Sequence, residues 1–233
     1  MIDFHTHLLP CMDDGSKSVD ESLAMLALMK EQGVDRVMAT PHFYANRESA
    51  ESFLERRERS YLQLKEKMHD APLLSLGAEV KYYDGISRLP ELQSLRIEGS
   101  RLLLLEMPFT RWTECSVREV LDIAAQGRVT PVLAHIERYL SKENQALLPR
   151  LLESGVLVQS NASFFAGYFS RFKAIKMVKN GQIHFIGSDS HNLTDRKPNT
   201  GRALDVLEKR MGKTFAEEFV AYGYDLLFEN QLV

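Results

Sequence analysis

Short apolar runs alternate with longer amphipathic stretches along the chain. The runs fall at Met1–Phe4, Arg36–Thr40, Leu73–Ala78, Arg101–Leu105, Thr130–Ala134, Gly155–Gln159 and Ile183–Gly187, and each reads as a strand. Between them, Asp20–Glu31 carries Met25, Leu28 and Met29 at the i, i+3, i+4 spacing of one helix face. Ser49–His69 predicts a long, charge-rich helix. Ser116–Gln126, Asn144–Glu153, Ser170–Lys179 and Gly201–Met211 continue the series, and Phe215–Leu227 reads as a closing helix or two. Ser18 with Glu21, and Ser116 with Glu119, have the spacing of capping boxes. Gly33, Gly127, Gly155 and Gly181 stand where helices should end.

Strand and helix thus alternate about seven times. This predicts an α/β fold with a parallel sheet, either a barrel or a doubly wound layer. No linker, fixed-period repeat or low-complexity tract interrupts the 233 residues, so a single domain over 1–233 is expected. Hydrophobic residues make up 44% and charged residues 26%, ordinary for a soluble domain. The net charge of −3 gives no reason to expect nucleic-acid binding by bulk charge. Met1-Ile2-Asp3-Phe4 enters a strand directly, without a basic head and apolar run, and no segment has the length of a membrane span. A cytoplasmic protein without membrane insertion is expected, with Cys11 and Cys115 as free thiols. The charges of Glu48–Lys67 are expected on a solvated helix face, paired i to i+4.

The chemistry lies in where the polar residues fall. The first run ends in His5-Thr6-His7, the second in Thr40-Pro41-His42, the third in Gly77-Ala78-Glu79. The fourth ends in Leu105-Glu106, the fifth in Ala134-His135 and the seventh in Ser188-Asp189-Ser190-His191. The sixth ends in Gln159-Ser160-Asn161, polar but a poor ligand set. In a parallel barrel these ends share one face, where active sites form. Residues two apart on a strand point the same way, so His5 and His7 can share an ion, as can Asp189 and His191 if the strand extends that far. His69 and His184 fall outside the pattern and read as surface or core residues.

Burying so many ionisable groups together costs several kcal/mol each, roughly, unless a cation offsets the charge. Imidazole with carboxylate and no thiolate suits Mn, Fe, Zn or Mg. Two or three such ions suit hydrolysis of a phosphate ester, activating a water and stabilising the attacking and leaving oxygens. Arg138 and Arg196 follow His135 and His191 closely, and a guanidinium binds phosphate bidentately. A covalent-cysteine phosphatase is excluded, because the positions needing arginine after Cys11 and Cys115 hold Lys17 and Leu121. Gly212-Lys213-Thr214 lacks the glycine of a phosphate-binding loop at Leu207.

The His5-Thr6-His7 opening, His42, Glu79, Glu106, His135 and Asp189-Ser190-His191 resemble the PHP (polymerase and histidinol phosphatase) superfamily. Met1 to Pro10, Met12-Asp13-Asp14-Gly15, Ala39–His42, Pro131–Arg138, Gly187–Asn192 and Glu229–Leu232 resemble one branch, the bacterial manganese-dependent tyrosine-protein phosphatases of capsular and extracellular polysaccharide gene clusters.

The resemblance implies a distorted, TIM-like (β/α)7 barrel of the PHP type with three divalent ions, Mn first, at its C-terminal face. His5, His7, Glu79 and Asp189 would hold one ion. Glu79, Glu106 and His135 would hold a second, and Asp14, His42 and His191 the third. Arg138 and Arg196 would grip the substrate phosphate. The implied substrate is the phosphotyrosine-bearing C-terminal tail of a bacterial tyrosine autokinase, attacked in line by a metal-bound hydroxide. Asp13, Asp14 or His42 could assist proton transfer, with Asp13 reading first as a turn residue beside Gly15. After His42 come Phe43-Tyr44-Ala45-Asn46-Arg47, where some relatives carry basic residues at once; Phe43 and Tyr44 could stack on a phenol ring or pack locally. Two alternatives stay open at this point. One is another phosphoesterase of the superfamily, a histidinol phosphatase or a nuclease. The other is a metal-binding module that holds phosphotyrosine without cleaving it.

Overall fold

In the computed structural model, which describes residues 1–232, the apolar runs pair as parallel strands. The chain runs β1 (Ile2–Thr6), α1 (Val19–Glu31), β2 (Arg36–Ala39), β3 (His42–Phe43), α2 (Ala50–Lys65), β4 (Leu73–Leu76), β5 (Glu79–Lys81) and β6 (Leu102–Glu106). It continues through α3 (Glu114–Ala125), β7 (Thr130–Leu133), α4 (Lys142–Glu153), β8 (Leu157–Asn161), α5 (Ala162–Ala166), α6 (Ser170–Lys179), β9 (Phe185–Gly187), α7 (Thr200–Met211) and α8 (Lys213–Glu229).

Two expected strands are each broken in two. Pro41 has no N–H to give to a ladder, so the second run stops at Ala39 and resumes at His42 as β3. Gly77-Ala78 lies beside that break and separates β4 from β5, and His42 and Glu79 therefore open strands rather than close them. The backbone still tracks across both breaks, with Gly77 N–H donating to Ala39 O at 2.8 Å and Glu79 N–H to Pro41 O at 3.0 Å. The two sheets, β1-β2-β4 and β3-β5-β6-β7-β8-β9, are thus two parts of one seven-stave wall. A parallel bridge between Thr6 and Ser190 closes it, supported by His7 N–H to Ser190 O and Asp189 N–H to His5 O. The expected distorted (β/α)7 barrel is what forms.

The strands are buried on both faces, as parallel strands covered by helices must be. Along β6, Leu102 and Leu104 join Phe4, Met38, Val132 and Phe185 inside the barrel, while Leu103 and Leu105 pack outward under the helices. Phe4 stacks on Phe185 with ring centroids 3.9 Å apart. Leu226 and Leu227 of α8 join this inner cluster, and Arg101 N–H donates to Asn230 O at 2.7 Å. The last helix therefore seals the end of the barrel where β6 and β7 begin, opposite the strand ends that carry the polar residues. Among the described residues, no helix is long and apolar enough to cross a membrane.

Local details depart from expectation. The third unit crosses from β5 to β6 without an α-helix, through 3-10 turns at Ile86–Arg88 and Pro90–Leu95. Thr113, not Ser116, caps α3; the two exchange the reciprocal capping-box bonds, and Glu119 instead accepts from Ser87 N–H at 2.9 Å. Phe215–Leu227 lies within the single helix α8. The charged helix α2 is not solvated throughout, because Arg57 is buried and donates to Gly77 O at 2.9 Å. Its neighbour Arg56 pairs with Glu48, outside the helix, at 3.0 Å instead of four residues along it. Cys11 and Cys115 are free thiols at the surface.

Candidate metal centre

All nine expected ligands converge at the C-terminal mouth of the barrel. His5 and His7 project from the same side of the first stave, their Nε2 atoms 3.0 Å apart. Each has its other nitrogen occupied. His7 Nδ1 lies 2.7 Å from Asp13 Oδ2, and His5 Nδ1 lies 3.3 Å from Gln159 Oε1. Both partners only accept, so both Nδ1 atoms carry the hydrogen and both Nε2 atoms present lone pairs. At 3.0 Å those lone pairs need a cation between or beside them, a proton or a metal ion. Burial would lower the His7 pKa, but Asp13, Asp189 and Glu79 raise it well above the usual imidazole value, so a proton serves when no metal is there. His191 follows the same logic: Nδ1 faces Asp189 O at 3.0 Å, leaving Nε2 buried without a hydrogen-bond partner.

Glu79 is the centre of the cluster. Its Oε2 lies 2.9 Å from His42 Nδ1, 3.2 Å from His5 Nε2 and 3.3 Å from His7 Nε2, and its Oε1 lies 2.9 Å from His135 Nε2. Oε2 and His42 Nδ1 are nevertheless without a partner in hydrogen-bond geometry. Burial alone would raise this carboxyl's pKa; the surrounding imidazoles, His5 foremost, hold it well below the usual range. Glu106 lies 3.5 Å from His135 and is anchored on its other side by Lys81 Nζ at 2.7 Å. His135 itself, lowered by burial, is lifted by Glu106 and Glu79 to about 9.

Asp189 joins the ring from β9's end, but not by continued strand geometry. β9 stops at Gly187, and Asp189 adopts a left-handed backbone with φ 52°. His135 does likewise, with φ 31°. Such conformations are costly for side chains other than glycine and persist where the surroundings over-determine them. Asp189 Oδ2 accepts from Asn161 Nδ2 at 2.8 Å and Arg138 Nη2 at 2.6 Å, and Oδ1 accepts from Arg196 Nη2 at 2.7 Å. Burial pushes its pKa up, but the nearby His5 and His7 hold it well below the usual carboxylate range.

The third expected group is more open. Asp14 is 64% exposed, with Oδ1 3.6 Å from His42 Nε2 and 3.4 Å from His191 Nε2. Burial, with His7 and Arg196 nearby, lowers His191 to about 4, so its imidazole is neutral and able to bind an ion.

Three sets offer ligand atoms lying within 4.8 Å of one another: His5-His7-Asp189, His42-Glu79-Glu106 and His7-Asp14-His42-His191. The donor set, the opposed lone pairs and the orphaned Glu79 oxygen together fit a group of divalent cations. They are all hard or borderline ligands, suited to Mn, Fe, Zn or Mg.

The structure also shows residues that strand-end reasoning passed over. Asp13 is no mere turn residue, because it accepts from His7 Nδ1 and from the N–H groups of His42 and Gly15. Gly15 is required there: a Cβ would lie 2.1 Å from His7 O. Gln159 Oε1 also accepts from His135 N–H at 2.7 Å, so it and Asn161 orient ligands rather than bind ions. The polarity of the sixth strand end was the available signal. Phe43 is buried against Phe53, whereas Tyr44 stands beside His42 with Arg47 over its ring at 4.4 Å. His69 is exposed and His184 buried, both away from the cluster.

Comparison with known proteins adds independent support. The family model for capsular polysaccharide synthesis, CpsB/CapC, matches residues 1–227. The tyrosine-protein phosphatase YwqE of Bacillus subtilis is 33% identical over 239 residues, covering 100% of this chain and 93% of YwqE. The tyrosine-protein phosphatase CpsB of Streptococcus pneumoniae is 32% identical, with 100% of both chains covered. A solved chain from the crystal structures of YwqE and CpsB, described as metal-dependent tyrosine phosphatases, superposes with a TM-score of 0.83 at 29% identity, covering 100% of this chain and 96% of that one. The putative histidinol phosphatase of Listeria monocytogenes, at 17% identity and a TM-score of 0.53, shares the fold alone. The chain belongs to the CpsB/CapC family of capsular polysaccharide synthesis.

Proposed function

We propose that this protein is a metal-dependent protein-tyrosine phosphatase. It acts as one domain, on phosphotyrosine in a tyrosine autokinase that governs capsular or extracellular polysaccharide synthesis. The observation that carries the reading is Glu79, a buried carboxylate on which four imidazoles converge. His5, His7, Glu79 and Asp189 would hold one ion, Glu79, Glu106 and His135 a second, and Asp14, His42 and His191 a third, with manganese the expected metal. Ions held there supply a nucleophilic water at neutral pH and countercharge for the phosphoryl oxygens.

The chain's own residues do the rest. Arg138 and Arg196 each spend one terminal nitrogen on Asp189 and remain 38% and 36% exposed, so further N–H donors are free to grip phosphate. Asp189 thereby sets the spacing of the two guanidiniums. Hydrolysis forms a bond from water oxygen to phosphorus and breaks the bond from phosphorus to the phenol oxygen. One proton from water ends on the phenol. Phenolate, with a pKa near ~10, leaves without a strong acid. The exposed Asp14 carboxylate, with one oxygen toward the ion, would pass that proton, or His42 would if it is not itself bound to the ion. Asp14 lies at an open rim, which suits a side chain presented by a protein more than an enclosed small-molecule site.

The test compares rates on a phosphotyrosine peptide, a phosphoserine peptide, histidinol phosphate and single-stranded DNA, with Mn and with a chelator. Phosphotyrosine cleavage that needs Mn is expected. Chelator-resistant activity, or preference for histidinol phosphate or DNA, would overturn the reading. Binding of the phosphopeptide without turnover would favour the non-catalytic module.

A further inference from the structure

Phe109 is an odd residue for its place. It stands three positions beyond Glu106, after Pro108, and is 52% exposed at the edge of a charged cluster. Its ring lies over the metal-centre wall, stacked on His135 at 5.8 Å and 27° and on Tyr139 at 5.8 Å and 19°. Two cations flank it: Lys81 Nζ is 4.7 Å from the ring centroid and the Arg138 guanidinium 5.8 Å. The same Lys81 holds Glu106, and the same Arg138 holds Asp189.

An exposed aromatic ring loses free energy to water unless something apolar covers it at work. Here the cover must arrive beside a guanidinium placed to take a phosphate. On an aryl phosphate the ring follows the phosphate by one oxygen, so a phosphate held by Arg138 brings that ring to Phe109. An alkyl phosphate has no such surface to offer. Lys81 and Arg138 lie over the ring and draw on its negative face, and the part of the ring that stays exposed beside them suits offset contact with a neutral phenyl group.

We propose that Phe109 is the residue that recognises the phenyl ring of the substrate, and so selects aryl over alkyl phosphates. The inference rests on the tyrosine-phosphatase reading above and deepens it. The Phe109 side chain contacts the leaving group directly, whereas Lys81 and Tyr139 only hold its position.

The experiment measures KM and kcat on a phosphotyrosine peptide and Ki for inorganic phosphate in the manganese-loaded protein. Inorganic phosphate uses the ions and arginines but has no ring. Phe109→Ala should raise KM for the peptide about tenfold, the scale of one aromatic contact with its buried area, and leave the phosphate Ki unchanged. Phe109→Tyr should restore KM. Should the alanine variant lose its fold, Phe109→Leu, which keeps apolar bulk without the ring, carries the same two measurements. An unchanged KM overturns the inference while the phosphatase reading stands. So does a parallel rise in KM and phosphate Ki, which would mean that Phe109 serves only to brace His135. A wild-type protein that does not cleave phosphotyrosine overturns the phosphatase reading, and this inference with it.

Discussion

His7 Nδ1 lies 2.7 Å from Asp13 Oδ2, and that contact decides which nitrogen of His7 faces Glu79 and Asp189. The imidazole is inside the barrel mouth, and the carboxylate sits six residues on, in the loop that Gly15 lets fold back against His7. Burial would raise the Asp13 pKa, but the attraction of His7 and the N–H groups of His42 and Gly15 hold it well below the usual range. Asp13 is therefore an anion throughout the working range and orients His7 as a carboxylate behind a metal ligand does.

Asp13→Ala should leave the fold intact and weaken the metal centre. The apparent Mn affinity, read from activity against added Mn, should fall about 10- to 100-fold, with kcat partly recovered at high Mn. Unchanged Mn dependence would mean that Asp13 is only a turn residue after all.

Glu79→Gln removes the negative charge on which the imidazoles converge. Bound metal, counted by elemental analysis after gel filtration, should drop, and hydrolysis should fall at least about 10³-fold. A variant with full metal content and near-normal turnover would take Glu79 out of the centre.

Arg138→Lys and Arg196→Lys each keep the charge but lose the planar fork. Each should cut kcat/KM about 10- to 100-fold, because the fork lets one terminal nitrogen hold Asp189 while the other donors grip phosphate. If lysine serves as well as arginine, the contact is simple charge neutralisation.

Metal removal should also show in stability, since bound cations relieve the crowding of ligand atoms at the centre. Dialysis against a chelator should lower Tm. Readdition of Mn at 100 times its Kd should return about 2.7 kcal/mol for each independent site if binding is to the folded state alone. A Tm indifferent to Mn would argue against ions at this site.

A pH effect separate from the site is expected at His184. Burial lowers its pKa from 6.5 to about 4, and its Nδ1 accepts from Val158 N–H at 3.1 Å. The folded state thus prefers the neutral ring. The stability it contributes is fully present above pH 6.5 and is lost as pH falls from 6.5 toward 4. The loss approaches about 1.4 kcal/mol per pH unit in that window. His184→Asn keeps an acceptor and cannot titrate, so denaturation from pH 7.5 to 4.5 should show a shallower decline for the variant. Parallel curves would exclude His184 as the cause.

Much of the candidate site was legible in the chain because ligands at strand ends obey one rule: in a parallel barrel, all the strand ends meet. His5, His7 and Glu106 needed only strand periodicity to be found, and His135 only its place just past a strand end. The helpers were not legible in this way. Asn161 meets Asp189 across 28 residues, Lys81 meets Glu106 across 25, and Gln159 meets His135 across 24. No local pattern marks such pairs, since their spacing is set by how the staves lie side by side. Ser116 misled for the opposite reason: it satisfies the capping pattern locally, yet Thr113, three residues earlier, forms the same pair of bonds with it and starts the helix sooner.

The sequence by itself determined the alternation of strand and helix, the seven staves and the kind of chemistry gathered at their ends. Apolar periodicity and polar punctuation act over a few residues, and those are local properties of the chain. Only the tertiary structure decided the rest: the closure of Thr6 on Ser190 and the left-handed turns that aim His135 and Asp189 inward. It also decided that Phe109 would stand exposed beside Arg138. These features depend on contacts between distant segments, whose entropy cost is met only when the whole barrel packs.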